Sequence, residues 1–268
     1  MTQTLSCDEI ALRFADICAE AAAPVMQVYR SDFESFQKSD RSPVTEADQL
    51  AEALILDRLR AFMPDTPVIA EEQFEAGVRP NAGTSFILVD PVDGTKEFIR
   101  RNGEFTINIG LIRDGAPVAG AVCAPAMDEV YFGGSTAQRA PITPGQPIER
   151  DAIRPIACRT VDPGRICAVM SRSHGDERTR RFIAEEGVSE TVSAGSSLKF
   201  CLLAAGQADV YPRFAPTMEW DTAAGHAVLL AAGGCVIGED GEALRYGKEE
   251  SGFRNGPFIA RTHSIASV

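Results

Sequence analysis

The sequence predicts an α/β fold of stacked layers in two sub-domains, and three observations point to it. The chain opens with two stretches of helical periodicity, residues 104–132 switch to strand alternation, and the second half alternates short strands with helices. Residues 139–163 hold five prolines and few periodic apolar positions. They mark the boundary between an N-terminal sub-domain, 1–150, and a C-terminal one, 151–268.

Each element has a local cause. Ser6-Cys7-Asp8-Glu9 reads as a capping box, and Ile10, Phe14, Ile17, Ala21, Val25 and Val28 follow at helical spacing. A second helix starts at Thr45, with Asp48 three residues on, and carries Ala51, Leu54, Ile55, Leu59 and Phe62. The polar stretch 33–43 between them suits a hairpin or a mobile loop. Val68-Ile69-Ala70 is a short strand that stops at Glu71 and Glu72. Phe86-Ile87-Leu88-Val89 is a buried strand ending at Asp90, after which Pro91 and Gly94 force a tight turn. Phe105, Ile107, Ile109 and Leu111 alternate, Asp114-Gly115 supplies a hairpin turn, 118–122 returns, and 130–132 extends the sheet. Beyond the boundary, strands are expected at 166–170, 191–193, 209–211, 235–237 and 258–260, with a turn at Asp240-Gly241. Helices are expected at 177–186, at 196–205 closed by Gly206, and at 222–232 ended by Gly233-Gly234.

Composition narrows the function. A net charge of −12 argues against a nucleic-acid-binding surface, which needs a basic footprint. An enzyme of anionic phosphate esters with this charge needs bound metal ions to reverse the local field. No 18-residue apolar run exists, so no transmembrane helix is expected, and the N-terminus lacks the basic patch and apolar core of a signal peptide. Both suit a cytoplasmic protein, with peripheral association at the inner membrane still compatible. Seven cysteines form no C-x-x-C pair, as reduced buried thiols would, and three histidines make zinc a poor choice. Oligomeric state has no signature in the sequence.

The chemistry gathers on acids at strand ends. Asp90 and Asp93 sit three residues apart on one turn, with Gly94 allowing close approach to the backbone. Such a pair repels unless a cation lies between, and a hard divalent ion such as Mg²⁺, with oxygen ligands and substrate phosphate, answers that need. An ordinary polar turn is the alternative, since Asp-Pro and Asp-Gly are common turn formers. Glu71 also sits at a strand end, and it joins the pair if the two strands are neighbours. Glu72 points to the other side, either as a base relaying a proton through water or as a solvated surface acid. Asp221 opens a small-residue helix beside Trp220, either as a further acid of the site or as a cap. Lys199 opposes a helix dipole unless an anion is bound there, and with Ser196, Ser197 and Arg213 it makes a phosphate cradle; two solvated cations are the alternative. His174 follows a strand and either touches ligand or is structural.

Glu71-Glu72, then Asp90-Pro91-Val92-Asp93-Gly94-Thr95, then Trp220-Asp221-Thr222-Ala223-Ala224-Gly225 resemble the signature of the inositol monophosphatase superfamily, over essentially the whole chain. Four further stretches resemble its bacterial 3′(2′),5′-bisphosphate nucleotidases. They are Gly94-Thr95-Lys96-Glu97-Phe98-Ile99, Arg101-Asn102-Gly103-Glu104-Phe105-Thr106, Gly195-Ser196-Ser197-Leu198-Lys199-Phe200 and Tyr211-Pro212-Arg213-Phe214. Inositol monophosphatases typically carry Thr-Asn-Phe where this chain has Lys96-Glu97-Phe98, and Met218-Glu219 before Trp220 is a departure of its own.

The resemblance implies a five-layer α-β-α-β-α sugar-phosphatase-type fold and a Mg²⁺-dependent, Li⁺-sensitive phosphomonoesterase. Its substrate would be the nucleotide bisphosphate 3′-phosphoadenosine 5′-phosphate, a by-product of sulfate assimilation. It implies metal ligation by Glu71, Asp90, Asp93, Asp221 and the Val92 carbonyl, around two or three ions. Asp48 and Thr95 would hold and activate the attacking water. Ser196, Lys199 and Arg213, with His174 nearby, would grip the second phosphate, and Asp93, Gly94, Thr95 and Asp221 would also face substrate. An inositol- or sugar-phosphate phosphatase with the same metal chemistry is the rival. A silent Mg²⁺-binding protein is a second, and it has little reason to keep mutually repelling carboxylates.

Overall fold

The computed structural model describes residues 5–31, 35–37, 43–171 and 177–262. Helix α1 (Cys7–Arg30) begins at the expected capping box, with the Ser6 hydroxyl and the Glu9 carboxylate exchanging bonds with each other's backbone. Strands β1 (Ser35–Gln37) and β2 (Pro43–Thr45) pair antiparallel, and α2 (Glu46–Phe62) follows one residue later than expected because Thr45 ends β2. Then come β3 (Val68–Ala70), α3 (Glu71–Glu75), β4 (Ser85–Asp93) and α4 (Thr95–Ile99). The β-rich stretch supplies β5 (Thr106–Arg113), β6 (Ala116–Ala124), β7 (Glu129–Gly133), β8 (Ala137–Pro141) and β9 (Arg154–Pro155). The second half is β10 (Ile166–Ser171), α5 (Glu177–Glu185), β11 (Val188–Ala194), α6 (Leu198–Ala204), β12 (Val210–Arg213), β13 (Thr217–Met218), α7 (Ala223–Ala231), β14 (Cys235–Gly238), β15 (Arg254–Asn255) and β16 (Phe258–Arg261).

Seven strands form the first large sheet in the order β3-β4-β5-β6-β7-β8-β9, and five form a mixed second sheet, β11-β10-β12-β16-β14. Helices α1 and α2 pack on one face of the first sheet, α7 packs on its other face beside α6, and α5 lies on the second sheet. The layers therefore run α-β-α-β-α. Alternation along β4 shows how they are sealed: Ile87 and Val89 join the core under α1 and α2, while Phe86 and Leu88 join the core shared with α6, α7 and the second sheet. Both faces of β5 are buried, as a strand between two layers requires. All seven cysteines are free thiols, and four are buried. Among the described residues no helix is long and apolar enough to cross a membrane.

Several elements differ from expectation. The proline-rich stretch is not bare, because β8 and β9 extend the first sheet to Pro155 through edge positions where a missing N–H is tolerated. Strand β4 does not stop at Asp90 but runs on to Asp93. The short helices α3 and α4 lie below the length that periodicity reveals. Helix α6 starts at Leu198 rather than at Ser196, whose φ of +42° is incompatible with a helix.

Candidate active site

The site starts from strand register. β3 and β4 run parallel with Ala70 beside Val89, so Glu71 emerges next to Asp90. Between Asp90 and Asp93 the pairing with β5 is irregular, and Pro91, in that gap, has no N–H to give the ladder. Gly94 then takes φ +92°, a left-handed turn that delivers the chain directly from Asp93 into α4 at Thr95. Asp221 arrives from far along the chain. A Cβ on Gly110 or Gly120 would sit 2.9 and 2.7 Å from the backbone of Ala223 and Ala224, so α7 lies against bare β5 and β6 backbone. That close approach puts Asp221, just ahead of α7, in one cavity of about 550 Å³ with Glu71, Asp90, Val92, Asp93 and Thr95.

The electrostatics of these acids are unfavourable by themselves. Burial, then the charges of Glu71, Asp93, Asp221 and Asp48, hold the Asp90 carboxyl well above the usual carboxylate range. Burial and Asp93 push Asp221 up to about 7, against the Met218 N–H that donates to its Oδ2 at 2.8 Å. Asp93 is also raised by burial, but the Lys199 charge and bonds from Ser197 oppose the rise. Asp48 is buried on α2 and acts on the same Asp90. The Thr95 hydroxyl donates to the Val92 carbonyl at 3.4 Å.

Among the described residues no group of three His, Cys, Asp or Glu side chains is drawn together tightly enough to hold a metal ion as it stands. The donor set nevertheless fits a hard divalent cation, being carboxylate and carbonyl oxygen throughout. Asp90 Oδ1 is buried with no hydrogen-bond partner among the described residues, a state that a cation relieves.

A second cavity, of about 130 Å³, adjoins the first and is lined by Ser196, Lys199, Tyr211 and Arg213. Asp93, Gly94, Lys96, Glu97, Arg213 and Asp221 line both cavities. Lys199 is 5% exposed, and burial, opposed by Asp93 and assisted by Arg213, lowers it to about 8. Its ammonium donates to the carbonyls of Ser196 at 2.5 Å and Ala194 at 3.4 Å. Those carbonyls therefore offset part of the helix-end conflict that sequence reasoning assigned wholly to an anion. Ser196 Oγ is buried and has no hydrogen-bond partner among the described residues. The Arg213 Nε donates to the Ala215 carbonyl at 3.2 Å, leaving other donors of its fork for the cavity.

Of the residues expected at the site, Glu71, Asp90, Val92, Asp93, Gly94, Thr95, Asp221, Ser196, Lys199 and Arg213 line one or both cavities, and Asp48 lies behind Asp90. Glu72 does not line either cavity, and its backbone N–H donates to Glu52 at 2.8 Å. His174 lies outside the described residues. Two participants, Asn108 and Glu52, escaped sequence reasoning, and Ser197, expected in the phosphate cradle, bonds to the acids instead. Ser197 reaches the Asp221 carbonyl at 2.6 Å and Asp93 Oδ2 at 3.1 Å, and its single proton serves one of them at a time. Asn108, opposite Asp90 in register, is buried with both amide atoms unpartnered; a polar residue inside an apolar run was its signal. Glu52, four residues after Asp48 and so on the same helix face, accepts the N–H groups of Glu72 and Gln73.

The chain resembles known proteins over nearly its whole length. The Inositol monophosphatase family profile matches residues 8–265. The chain is 44% identical over 246 residues to the 3′(2′),5′-bisphosphate nucleotidase CysQ of Salmonella typhimurium, covering 89% of this chain and 96% of the relative. The crystal structure of CysQ from Bacteroides thetaiotaomicron superposes with a TM-score of 0.80 at 38% identity, over 94% of this chain and 96% of that one. The inositol monophosphatase of Anabaena superposes with a TM-score of 0.73 at 24% identity, over 96% and 92% of the two chains, which speaks for the fold alone. This chain therefore belongs to the inositol monophosphatase family.

Proposed function

We propose that this protein is a Mg²⁺-dependent phosphomonoesterase that hydrolyses 3′-phosphoadenosine 5′-phosphate to AMP and phosphate. The observation that carries the proposal is the pair of adjoining cavities, one lined by carboxylates and the other by Lys199, Arg213 and the unpartnered Ser196 hydroxyl. A substrate with two phosphates answers both, whereas a monophosphate leaves the second cavity unused. The 44% identity to a CysQ nucleotidase supports the same reading.

Glu71, Asp90, Asp93, Asp221 and the Val92 carbonyl would hold two or three Mg²⁺ ions. When bound, such ions neutralise phosphate charge at both ends of an in-line displacement and acidify the attacking water. The residues of the chain then do the positioning. Asp48 and Thr95 orient the attacking water by hydrogen bonds, Thr95 being held by the Val92 carbonyl. Asp221 would hold a water that protonates the leaving oxygen, while Lys199, Arg213 and Ser196 would hold the non-reacting phosphate. Glu72 lines neither cavity, and its backbone N–H, held by Glu52, helps fasten α3. We further propose Li⁺ inhibition, through an ion of Mg²⁺ size and half its charge, and a cytoplasmic place in recycling this by-product of sulfate assimilation. Nothing among the described residues supports membrane association. We keep the division near residue 150 into two sub-domains as a proposal, each with its own large sheet apart from β9.

Phosphate release measured across bisphosphonucleotides, inositol phosphates and fructose 1,6-bisphosphate tests the assignment. The expected kcat/KM for 3′-phosphoadenosine 5′-phosphate exceeds that for inositol 1-phosphate more than tenfold, about 1.4 kcal/mol of transition-state binding. Equal or reversed preference overturns it in favour of an inositol- or sugar-phosphate phosphatase.

A further inference from the structure

Lys96-Glu97 marks where this chain departs from the inositol monophosphatase pattern, and the phosphate chemistry above assigns Glu97 no role. A carboxylate is out of place in a cavity that must accept a dianion. Glu97 nevertheless lines both cavities, and its charge acts on both Asp93 and Lys199. The packing around it is close. A Cβ on Gly94 would lie 3.4 Å from Glu97 Oε2, and one on Gly195 would lie 3.0 Å from Glu97 Cγ and 2.5 Å from the Glu104 carbonyl. The Gly195 N–H is pinned to Glu104 at 2.9 Å, which fixes the wall facing Glu97 and leaves no room for side chains between them. The Glu97 carboxylate has no hydrogen-bond or ion-pair partner among the described residues, and it is partly exposed at the cavity wall.

Position decides what Glu97 can accept. With one phosphate among the carboxylates and the other beside Lys199 and Arg213, the group joining the phosphates must cross the wall shared by the two cavities. In a nucleoside 3′,5′-bisphosphate that group is the ribose, and its one free hydroxyl is adjacent to the scissile ester. A carboxylate accepts but cannot donate when ionised. It therefore rewards a hydroxyl there and repels a further anionic group. We propose that Glu97 is a specificity-determining residue that accepts a hydrogen bond from the free ribose hydroxyl next to the scissile phosphate. The inference rests on the bisphosphonucleotide reading of the site.

The test pairs two substrates with three enzymes. Adenosine 3′,5′-bisphosphate and its 2′-deoxy analogue are assayed with wild type, Glu97→Ala and Glu97→Gln, each normalised to phenyl phosphate hydrolysis by the same enzyme. Wild type is expected to prefer the ribonucleotide at least tenfold in normalised kcat/KM, Glu97→Ala to discriminate less than twofold, and Glu97→Gln, which keeps an acceptor oxygen, to retain most of the preference. Undiminished discrimination in Glu97→Ala overturns the inference. So does an equal loss on both nucleotides in both variants, which would mean that the charge merely serves Lys199. The inosine analogue adds a further arm: if loss of the adenine amine, rather than of the hydroxyl, is what Glu97→Ala ceases to detect, the inference is also overturned. If wild type itself prefers inositol 1-phosphate to either nucleotide, the proposed function fails, a result distinct from each of these.

Discussion

Asp90 is 1% exposed, its Oδ1 has no hydrogen-bond partner among the described residues, and burial, then four other carboxylates, raise its pKa. Asp93 is better served, with Ser197 donating at 3.1 Å and Lys199 supplying opposite charge. The two aspartates of one turn should therefore respond differently to neutralisation. In chelator, Asp90→Asn removes the most strained charge and is expected to melt no lower than wild type and up to several degrees higher, at about 2–4 °C per kcal/mol for a domain of this size. With Mg²⁺ added, the same variant should lose most of the wild-type thermal gain, because ligand stabilisation scales with affinity. Turnover should fall by more than the roughly 10–100-fold seen when a residue behind a metal ligand is lost. Thermal melts with and without Mg²⁺, beside one activity assay, check the set. A purely structural turn aspartate gives the opposite pattern, with a lower melt in chelator and near-normal turnover. Lys199→Ala offers a second check, since it should cost bisphosphate hydrolysis a charge-assisted contact of very roughly 1.5–3 kcal/mol while affecting a simple monophosphate much less.

At the scale of elements, the site depends on how α3 is fastened. Five residues are too few to hold a helix by themselves, yet α3 carries Glu71. Its second and third N–H groups donate to the Glu52 carboxylate at 2.8 and 2.9 Å, a cap supplied from α2. Asp48 and Glu52 thus let one face of α2 serve both the acid cluster and the anchorage of α3. Glu52→Ala leaves two buried-side amides without an acceptor and should cost about 1–3 kcal/mol, measured by urea unfolding. Its specific mark is a smaller Mg²⁺-induced gain in stability than wild type shows, since Glu71 is no longer held. An unchanged Mg²⁺ increment would reduce Glu52 to an ordinary cap. On the opposite side, Thr222 closes onto Tyr246 and Asn255, and Tyr246 onto a buried His226 whose pKa burial lowers to about 3. That neutral network fixes the start of α7, where Asp221 sits.

The whole molecule shows the same tension as pH dependence. Asp90, Asp221 and Glu52 have folded pKa values above their unfolded ones, those of Asp221 and Glu52 being about 7. The folded state therefore binds more protons than the unfolded one between roughly pH 4 and 7, and stability falls as pH rises through that window. In chelator, acidification from pH 8 to about 5.5 should raise the melting temperature by several degrees, because each pH unit between folded and unfolded pKa is worth about 1.4 kcal/mol. Saturating Mg²⁺ should flatten or reverse that slope, since ligation favours the ionised form. A metal-free melting temperature that falls on mild acidification would contradict this account of the acids. Lys199, lowered to about 8, titrates the other way and predicts declining bisphosphate selectivity above that pH.

The sequence by itself determined the helices α1, α2 and α7, the β5–β6 hairpin and the acids at the ends of β3 and β4, because each is written in local periodicity, capping or turn chemistry. The capping box at Ser6, the Asp114-Gly115 turn and the Gly206 helix stop all recur in the structure. Tertiary structure alone decided what those acids meet. The parallel register of β3 and β4 sets Glu71 beside Asp90, and the bare backbone at Gly110 and Gly120 lets α7 carry Asp221 across more than a hundred residues into the same cavity. Short α3 and α4, the last two strands β8 and β9 of the first sheet, the roles of Glu52, Ser197 and Asn108, and the absence of Glu72 from the lining of both cavities have no local signature. They exist because burying a layered core on both faces of a sheet forces polar groups from distant segments to find one another.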